Sequence, residues 1–283
     1  MRRLTAALFT SLALVLVPRP GFAQQRPLVT EDPETIGAGR ILVEGGIDYA
    51  KDQPYPVSGL EGDLLRVPTI GISFGLSSIA ELQIDGGLYN HLSITARHQA
   101  PLSGLVTATG DSTSDVEDAV VATKIRIFSE TPGRPAVGLR FATKLPNASN
   151  ESGLGLDTTD FYISALVAKT VQSIRVVGNL GVGILTDPTA GNRQNDVLTY
   201  GLSFARAITQ AAELVGEING RASTRNGDPI PGTESRSTFK LGGRYTHGML
   251  RFDGAVFIGL TTADPTIGVT AGFTYVFNAF KVP

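Results

Sequence analysis

The chain has no cysteine, only three histidines and little charge, and beyond residue 26 no apolar run approaches the length of a membrane helix. Without cysteine there is no disulfide scaffold, thiolate metal site, cysteine nucleophile or lipid-modified cysteine. His91, His98 and His247 are all that remain for imidazole chemistry. Charged residues are 18% of the 283, against roughly 25% in ordinary globular chains. No basic run or stripe points to a nucleic-acid partner. What the chain does contain is glycine, 33 residues of it, and long stretches in which polar and apolar residues alternate.

Residues 1–23 read as a secretory signal: Arg2 and Arg3, an apolar stretch from Leu4 to Val17, then Gly21-Phe22-Ala23 with small residues at both recognition positions. Cleavage after Ala23 removes Arg2, Arg3 and Arg19 and no acid, taking the net charge from -2 to -5. The expected domain order is therefore signal 1–23, an N-terminal periplasmic segment 24–39, and one β-domain over 40–283.

Period two dominates the mature chain. At 119–127 Ala119, Val121, Thr123, Ile125 and Ile127 fall on one face of a strand, and Val120, Ala122, Lys124 and Arg126 on the other. Twelve such segments can be drawn, at 40–50, 64–75, 80–90, 117–128, 136–145, 160–169, 173–185, 197–207, 211–222, 236–246, 249–260 and 266–277. Most are longer than the roughly 5 or 6 residues usual in soluble sheets and match the 9 to 11 that cross a bilayer at a tilt. The connections alternate long and short, as external loops and periplasmic turns do. The outward face carries charge only at Arg66, Lys169 and Arg206, near strand ends where long side chains can snorkel. The pattern predicts an all-β fold, a transmembrane antiparallel up-and-down barrel of about twelve strands. Pro68, which donates no ladder hydrogen bond, is its worst local misfit.

The last strand, Thr270 to Phe277, alternates polar or small residues with large apolar ones and ends on aromatics. Thr270, Gly272, Tyr275 and Phe277 resemble the C-terminal recognition signal of outer-membrane barrels, which implies the barrel-assembly machinery as a partner; Phe280 offers a slipped register. Further marks are Arg66-Val67-Pro68, Asp115-Val116-Glu117-Asp118 through Lys124, Lys144-Leu145-Pro146-Asn147, Gly153-Leu154-Gly155-Leu156-Asp157, Asn179-Leu180-Gly181-Val182-Gly183 and Glu213-Leu214-Val215-Gly216-Glu217. In order and spacing these resemble the outer-membrane transporter family of the MetA pathway of phenol degradation. The resemblance implies a barrel of about a dozen strands in the outer membrane of a Gram-negative bacterium, surrounded by its lipid, passing small solutes, aromatic ones among them.

The inward polar set comprises Glu44, Asp85, Asp118, Lys124, Arg126, Arg140, Lys144, Arg175, Glu213, Glu217, Arg221, Lys240, Arg244, Arg251 and Asp253. Bases lead. In a water-filled lumen they would form a transverse field favouring anions; otherwise they pair and fill a narrow lumen. Lys124 and Arg126, two apart beside Asp118, with Arg140 and Lys144 on the next strand, are the candidate constriction. The acids Asp111, Asp115, Glu117 and Asp118 lack the ligand spacing of a calcium loop. The histidines fall at opposite ends of the barrel, so no nucleophile, base and orienting group converge. No cofactor, metal or covalent chemistry is expected. Passage of small molecules competes with a closed adhesive or structural barrel whose external loops bind a partner, and, more remotely, with a membrane enzyme.

Overall fold

The computed structural model describes residues 26–281. The predicted signal, residues 1–23, lies outside them. Fourteen strand segments run β1 Arg40–Tyr55, β2 Leu60–Gly75, β3 Ala80–Gly87, β4 Asn90–Arg97, β5 Ser112–Asp115, β6 Val120–Phe128, β7 Ala136–Lys144, β8 Asp160–Val171, β9 Ile174–Thr186, β10 Gln194–Ala207, β11 Ala212–Ser223, β12 Arg236–His247, β13 Leu250–Gly259 and β14 Ile267–Asn278. All pairings are antiparallel. β3 and β4 both pair with β2 and are two halves of one stave; β5 and β6 are halves of the next. Twelve staves result. β1 bonds both β2 and β14, with Ile41 opposite Phe277, so the sheet closes on itself and no edge remains.

Alternation then sorts the side chains. Leu180, Leu202, Phe161, Leu214, Leu241 and Val256 stand exposed on the outer surface, while Lys124, Glu217, Glu81 and Thr274 are wholly buried on the inner one. A soluble sandwich would bury the first set against a second sheet. Here the apolar faces point away from the barrel, which is stable only in lipid, and closure lets the ladders pair backbone groups all round the wall. Near the short-turn end, exposed Phe128, Tyr245, Phe252, Tyr275 and Phe280 supply the aromatic residues expected at a membrane interface. Lys169 lies at that end too, donating to the Thr131 and Pro132 carbonyls. Phe277 is the last aromatic in register; Phe280 lies past the strand, its amide bonded to Gly39.

Two expectations are corrected. Arg66 points inward, paired with Asp48 at 3.5 Å and Glu117 at 3.0 Å, and is not an outward charge. The cause is a bulge: Thr69 opposes Gly46 and Arg66 opposes Asp48, leaving Val67 and Pro68 against Ile47 alone. An extra residue inverts the alternation, so inward positions are even before the bulge and odd after it. Pro68 thus sits where the missing amide does least harm. Secondly, 51–63 and 91–116 are not loops throughout. β1, β2 and β4 extend through them, raising one side of the wall, and His91 lies on a strand opposite Leu65.

The β1–β2 hairpin closes in a tight turn where Gly59 has φ +78 and its carbonyl accepts the His98 amide at 2.7 Å. A Cβ there would collide with the His98 carbonyl oxygen. Gly59→Ala should cost about 1–2 kcal/mol from the left-handed conformation alone, seen as earlier loss of the compact, fast-migrating form on heating before electrophoresis. Unchanged migration at every temperature would contradict this turn.

Candidate functional site in the lumen

Residues 26–39 do not hang below the barrel as a periplasmic segment. They run inside it, because acids in the segment meet bases on the wall. Starting from the short-turn end, Ile36 donates its amide to Glu81 at 2.7 Å and Thr35 its hydroxyl to the Ser78 carbonyl at 3.1 Å. Glu34 pairs with Arg126, and Asp32 with Arg175. Glu31 takes Lys124 at 3.2 Å and Arg140 at 3.0 Å, while its carbonyl accepts Asn179 Nδ2 at 2.7 Å. Glu217 receives the Val29 and Thr30 amides and the Thr30 hydroxyl, all at 2.8–2.9 Å. The Pro27 carbonyl accepts Lys240 Nζ at 2.7 Å and the Arg26 carbonyl accepts Arg244 Nε at 2.7 Å. Arg26 itself reaches Asp253 at 3.5 Å and hydrogen-bonds Thr69 and Thr270. The segment therefore touches β3, β6, β7, β9, β11, β12, β13, β14 and β2 in turn. It forms a collar around the inner wall.

From Arg26 to Ile36 every bond to the wall uses a side chain on at least one side; backbone pairing begins only at Gly39, with Gly75. Asp32 is the clearest electrostatic anchor. Burial alone would raise its carboxyl, but hydrogen bonds and charge from Arg175, with the Glu34 amide, hold it below the ordinary aspartate range. A carboxylate with a depressed folded value contributes its stabilisation above the unfolded value and loses it as pH falls through the folded one. The collar should therefore hold at every pH above about 4, the unfolded aspartate value, and loosen only below it. Protease access to the segment in detergent, measured from pH 8 to 3, checks this; release at pH 5–6 would contradict it.

The predicted lining set points inward as a whole, and the structure assigns each member a neighbour. Lys124 is wholly buried between Glu31 and Glu81, at 3.2 and 3.0 Å. Arg126, Arg140, Arg175, Glu217, Lys240 and Arg244 hold the collar as described. Asp85 lies 3.7 Å from Arg140, Glu213 3.7 Å from Arg244, and Glu44 accepts the Thr274 hydroxyl at 2.9 Å. Arg251 donates to Thr246 at 3.2 Å. Asp118 does not adjoin Lys124; it takes Lys144 at 3.1 Å and the amides of Asn147 and Ala148, and Lys144 also meets Asp160 at 3.0 Å. Asp115 binds the Ser149 amide at 2.8 Å and Glu117 binds Arg66, so that acidic run ties down the 145–159 loop and the bulge. Arg221 grips the carbonyls of Gly232 and Glu234, both at 2.9 Å.

The lumen changes character above the collar. Ala50, Leu60, Leu64, Leu92 and Phe257 form a buried apolar cluster on the inner face of the raised wall, joined by Tyr55, Ile94, Val106 and Leu154. External loops close over it: Ser58 Oγ donates to the Gly153 carbonyl at 2.8 Å, and Thr113 Oγ1 to that of Ser152 at 2.8 Å. Collar residues Arg26, Glu31, Asp32 and Glu34 were missed by the sequence reading, as were Asp48, Glu81 and Arg236. The acid run Glu31-Asp32-Pro33-Glu34, just before a barrel whose inward face is rich in bases, was the available signal. Of the histidines, His91 Nδ1 lies 2.9 Å from Ser114 Oγ and stacks on Tyr89, on the outer surface of the wall.

A closed wall of twelve antiparallel staves, apolar outside and charged within, defines an outer-membrane β-barrel protein, resident in the outer membrane of a Gram-negative cell. The chain belongs to the family named for the MetA pathway of phenol degradation, whose model matches residues 25–277. Among solved structures it is similar to the COG4313 outer membrane channel from Pseudomonas putida F1, with a TM-score of 0.63 at 13% identity, covering 87% of this chain and 98% of that one. The translocator domain of the autotransporter NalP from Neisseria meningitidis aligns at 0.52 and 14% identity, over 85% and 89%. The NanC porin aligns at 0.50 and 10% identity, over 86% and 100%. At these identities the likeness speaks for the fold. No curated protein matches the sequence significantly.

Proposed function

We propose that the protein is a passive channel for small molecules, hydrophobic or aromatic ones included, working without cofactor or covalent chemistry. The observation that carries this reading is the nature of the lumen filling. A barrel built only as a scaffold needs a permanently packed interior. Here no bond from residues 26–36 to the wall joins backbone to backbone, so the collar can leave without breaking any strand ladder. Displacing it would expose Lys124, Arg126, Arg140, Arg175, Lys240 and Arg244 on the inner wall to water.

The apolar cluster above the collar favours solutes with an uncharged body, since such molecules lose little on leaving water there. The solved structure it resembles is described as an outer membrane channel, which supports passage, and the family's name, from the degradation of phenol, supports an aromatic cargo. A second reading, a closed barrel presenting its loops to a partner, draws on the convergence of Val57, Leu156 and Pro188 around Gly232 over the mouth. Planar-bilayer recordings of the full chain beside a chain lacking residues 26–36 test the choice. Conductance steps in neither would retire passage in favour of the closed barrel.

A further inference from the structure

Nearly every inward base has an acid within 4.0 Å: Arg26, Arg66, Lys124, Arg126, Arg140, Lys144, Arg175, Lys240 and Arg244 each form an ion pair. Arg251, which donates to Thr246 and has no carboxylate within 4.0 Å among the described residues, is a lone exception; two adjacent arginines are exceptions together. Arg221 on β11 and Arg236 on β12 stand directly opposite each other in the ladder, both on the inner face and both only partly buried. Like charges in directly opposed positions repel. Among the described residues neither has a carboxylate within 4.0 Å; Glu234 and Asp160 act on Arg221 only at longer range. Arg221 at least spends two of its donors on loop carbonyls. Arg236 has no hydrogen-bond partner among the described residues, although its Nε is buried from water.

Two tyrosines flank the pair. Tyr162, on the inner face of β8, lies within interaction range of Arg221. Tyr55, within electrostatic reach of Arg236, belongs to the apolar cluster with Leu60, Leu64 and Phe257. A planar guanidinium with free donors matches a carboxylate in two-point geometry, and the apolar and tyrosine surface beside it suits a ring.

We propose that Arg221 and Arg236 form a binding site for the carboxylate of a small aromatic acid in the outer half of the lumen, with Arg236 as its main contact. This rests on the channel reading and narrows it to one class of solute.

Calorimetric titration of the purified full chain in detergent with sodium benzoate, beside benzyl alcohol as the neutral comparator and acetate as the ringless one, tests it. Benzoate should bind at least about tenfold more tightly than benzyl alcohol, the ratio expected of a charge-assisted hydrogen bond worth about 1.4 kcal/mol or more, and more tightly than acetate, which makes the same bond but lacks the ring. Arg236→Gln should weaken benzoate about tenfold or more and leave benzyl alcohol unchanged. Because the substitution removes a like-charge contact, it should keep or raise the unfolding temperature. Equal benzoate affinity in wild type and variant overturns the site, and so does a lowered unfolding temperature with benzoate binding retained. Acetate binding as tightly as benzoate overturns the aromatic part. Binding is read here without a bilayer, so silent bilayers would defeat passage alone, while a conducting channel with no benzoate binding would defeat this site alone.

Discussion

Deleting residues 26–36 is expected to convert the barrel into a stably open pore, with large, frequent conductance steps where the full chain gives small or rare ones. The wall has no need of the collar for its own ladder: β1 is bonded along its length to β2 and β14 from Arg40 onward. What the deletion removes is four charged side chains, Arg26, Glu31, Asp32 and Glu34, and the backbone that crosses the inside of the wall. What it leaves is a ring in which Lys124, Arg126, Arg140 and Arg175 lose the acids Glu31, Asp32 and Glu34, and Lys240 and Arg244 lose the Pro27 and Arg26 carbonyls. The open pore should therefore prefer anions, with a preference that shrinks as salt rises, because the screening length falls to about 3 Å at 1 M. Reversal potentials in a salt gradient measure this. A deleted chain that folds, yet conducts no better than the full chain or selects cations, would show that the loops and the apolar cluster, not the collar, limit passage.

Lys124→Met is expected to be the most destabilising single substitution on the inner face. Lys124 is wholly buried and is the cation paired to Glu81, which has no exposed side-chain surface. Removing one partner of a buried pair leaves an uncompensated charge and costs about 3–5 kcal/mol. Glu31 would keep Arg140, whereas Glu81 would keep only the Ile36 amide and Gln83. Adding Glu81→Gln should recover much of the loss, since a neutral amide can still accept the Ile36 amide proton; the double-mutant cycle isolates the coupling. Denaturant midpoints of the folded form in detergent provide the measurement. A single variant as stable as wild type would mean that lumen water, not Lys124, neutralises Glu81.

Much of the wall was legible before any coordinates. The segments drawn at 136–145, 173–185 and 236–246 differ from β7, β9 and β12 by a residue at either end. The inward positions of Lys124, Arg140 and Glu217 follow from counting by twos. Arg66 failed because counting by twos assumes an unbroken pleat, and the bulge at Val67-Pro68 inverts it. The stretch 91–116 was read as a loop because β4 and β5 are short and polar outside, standing above the apolar band that made the other strands visible.

The sequence by itself determined which residues lie in strands, which of their faces is greasy, and hence that the sheet must close in lipid. These are local properties: a strand's side chains alternate wherever its backbone is extended, whatever it pairs with. The folded arrangement alone settled where 26–39 runs, that Glu31 meets Lys124 and Glu217 meets the Thr30 amide, and that among the described residues the Arg236 side chain has no carboxylate within 4.0 Å. Those contacts join residues 93 and 187 positions apart across the lumen. No local pattern encodes them, because closure of the wall and the tilt of its strands choose which inward side chains come face to face.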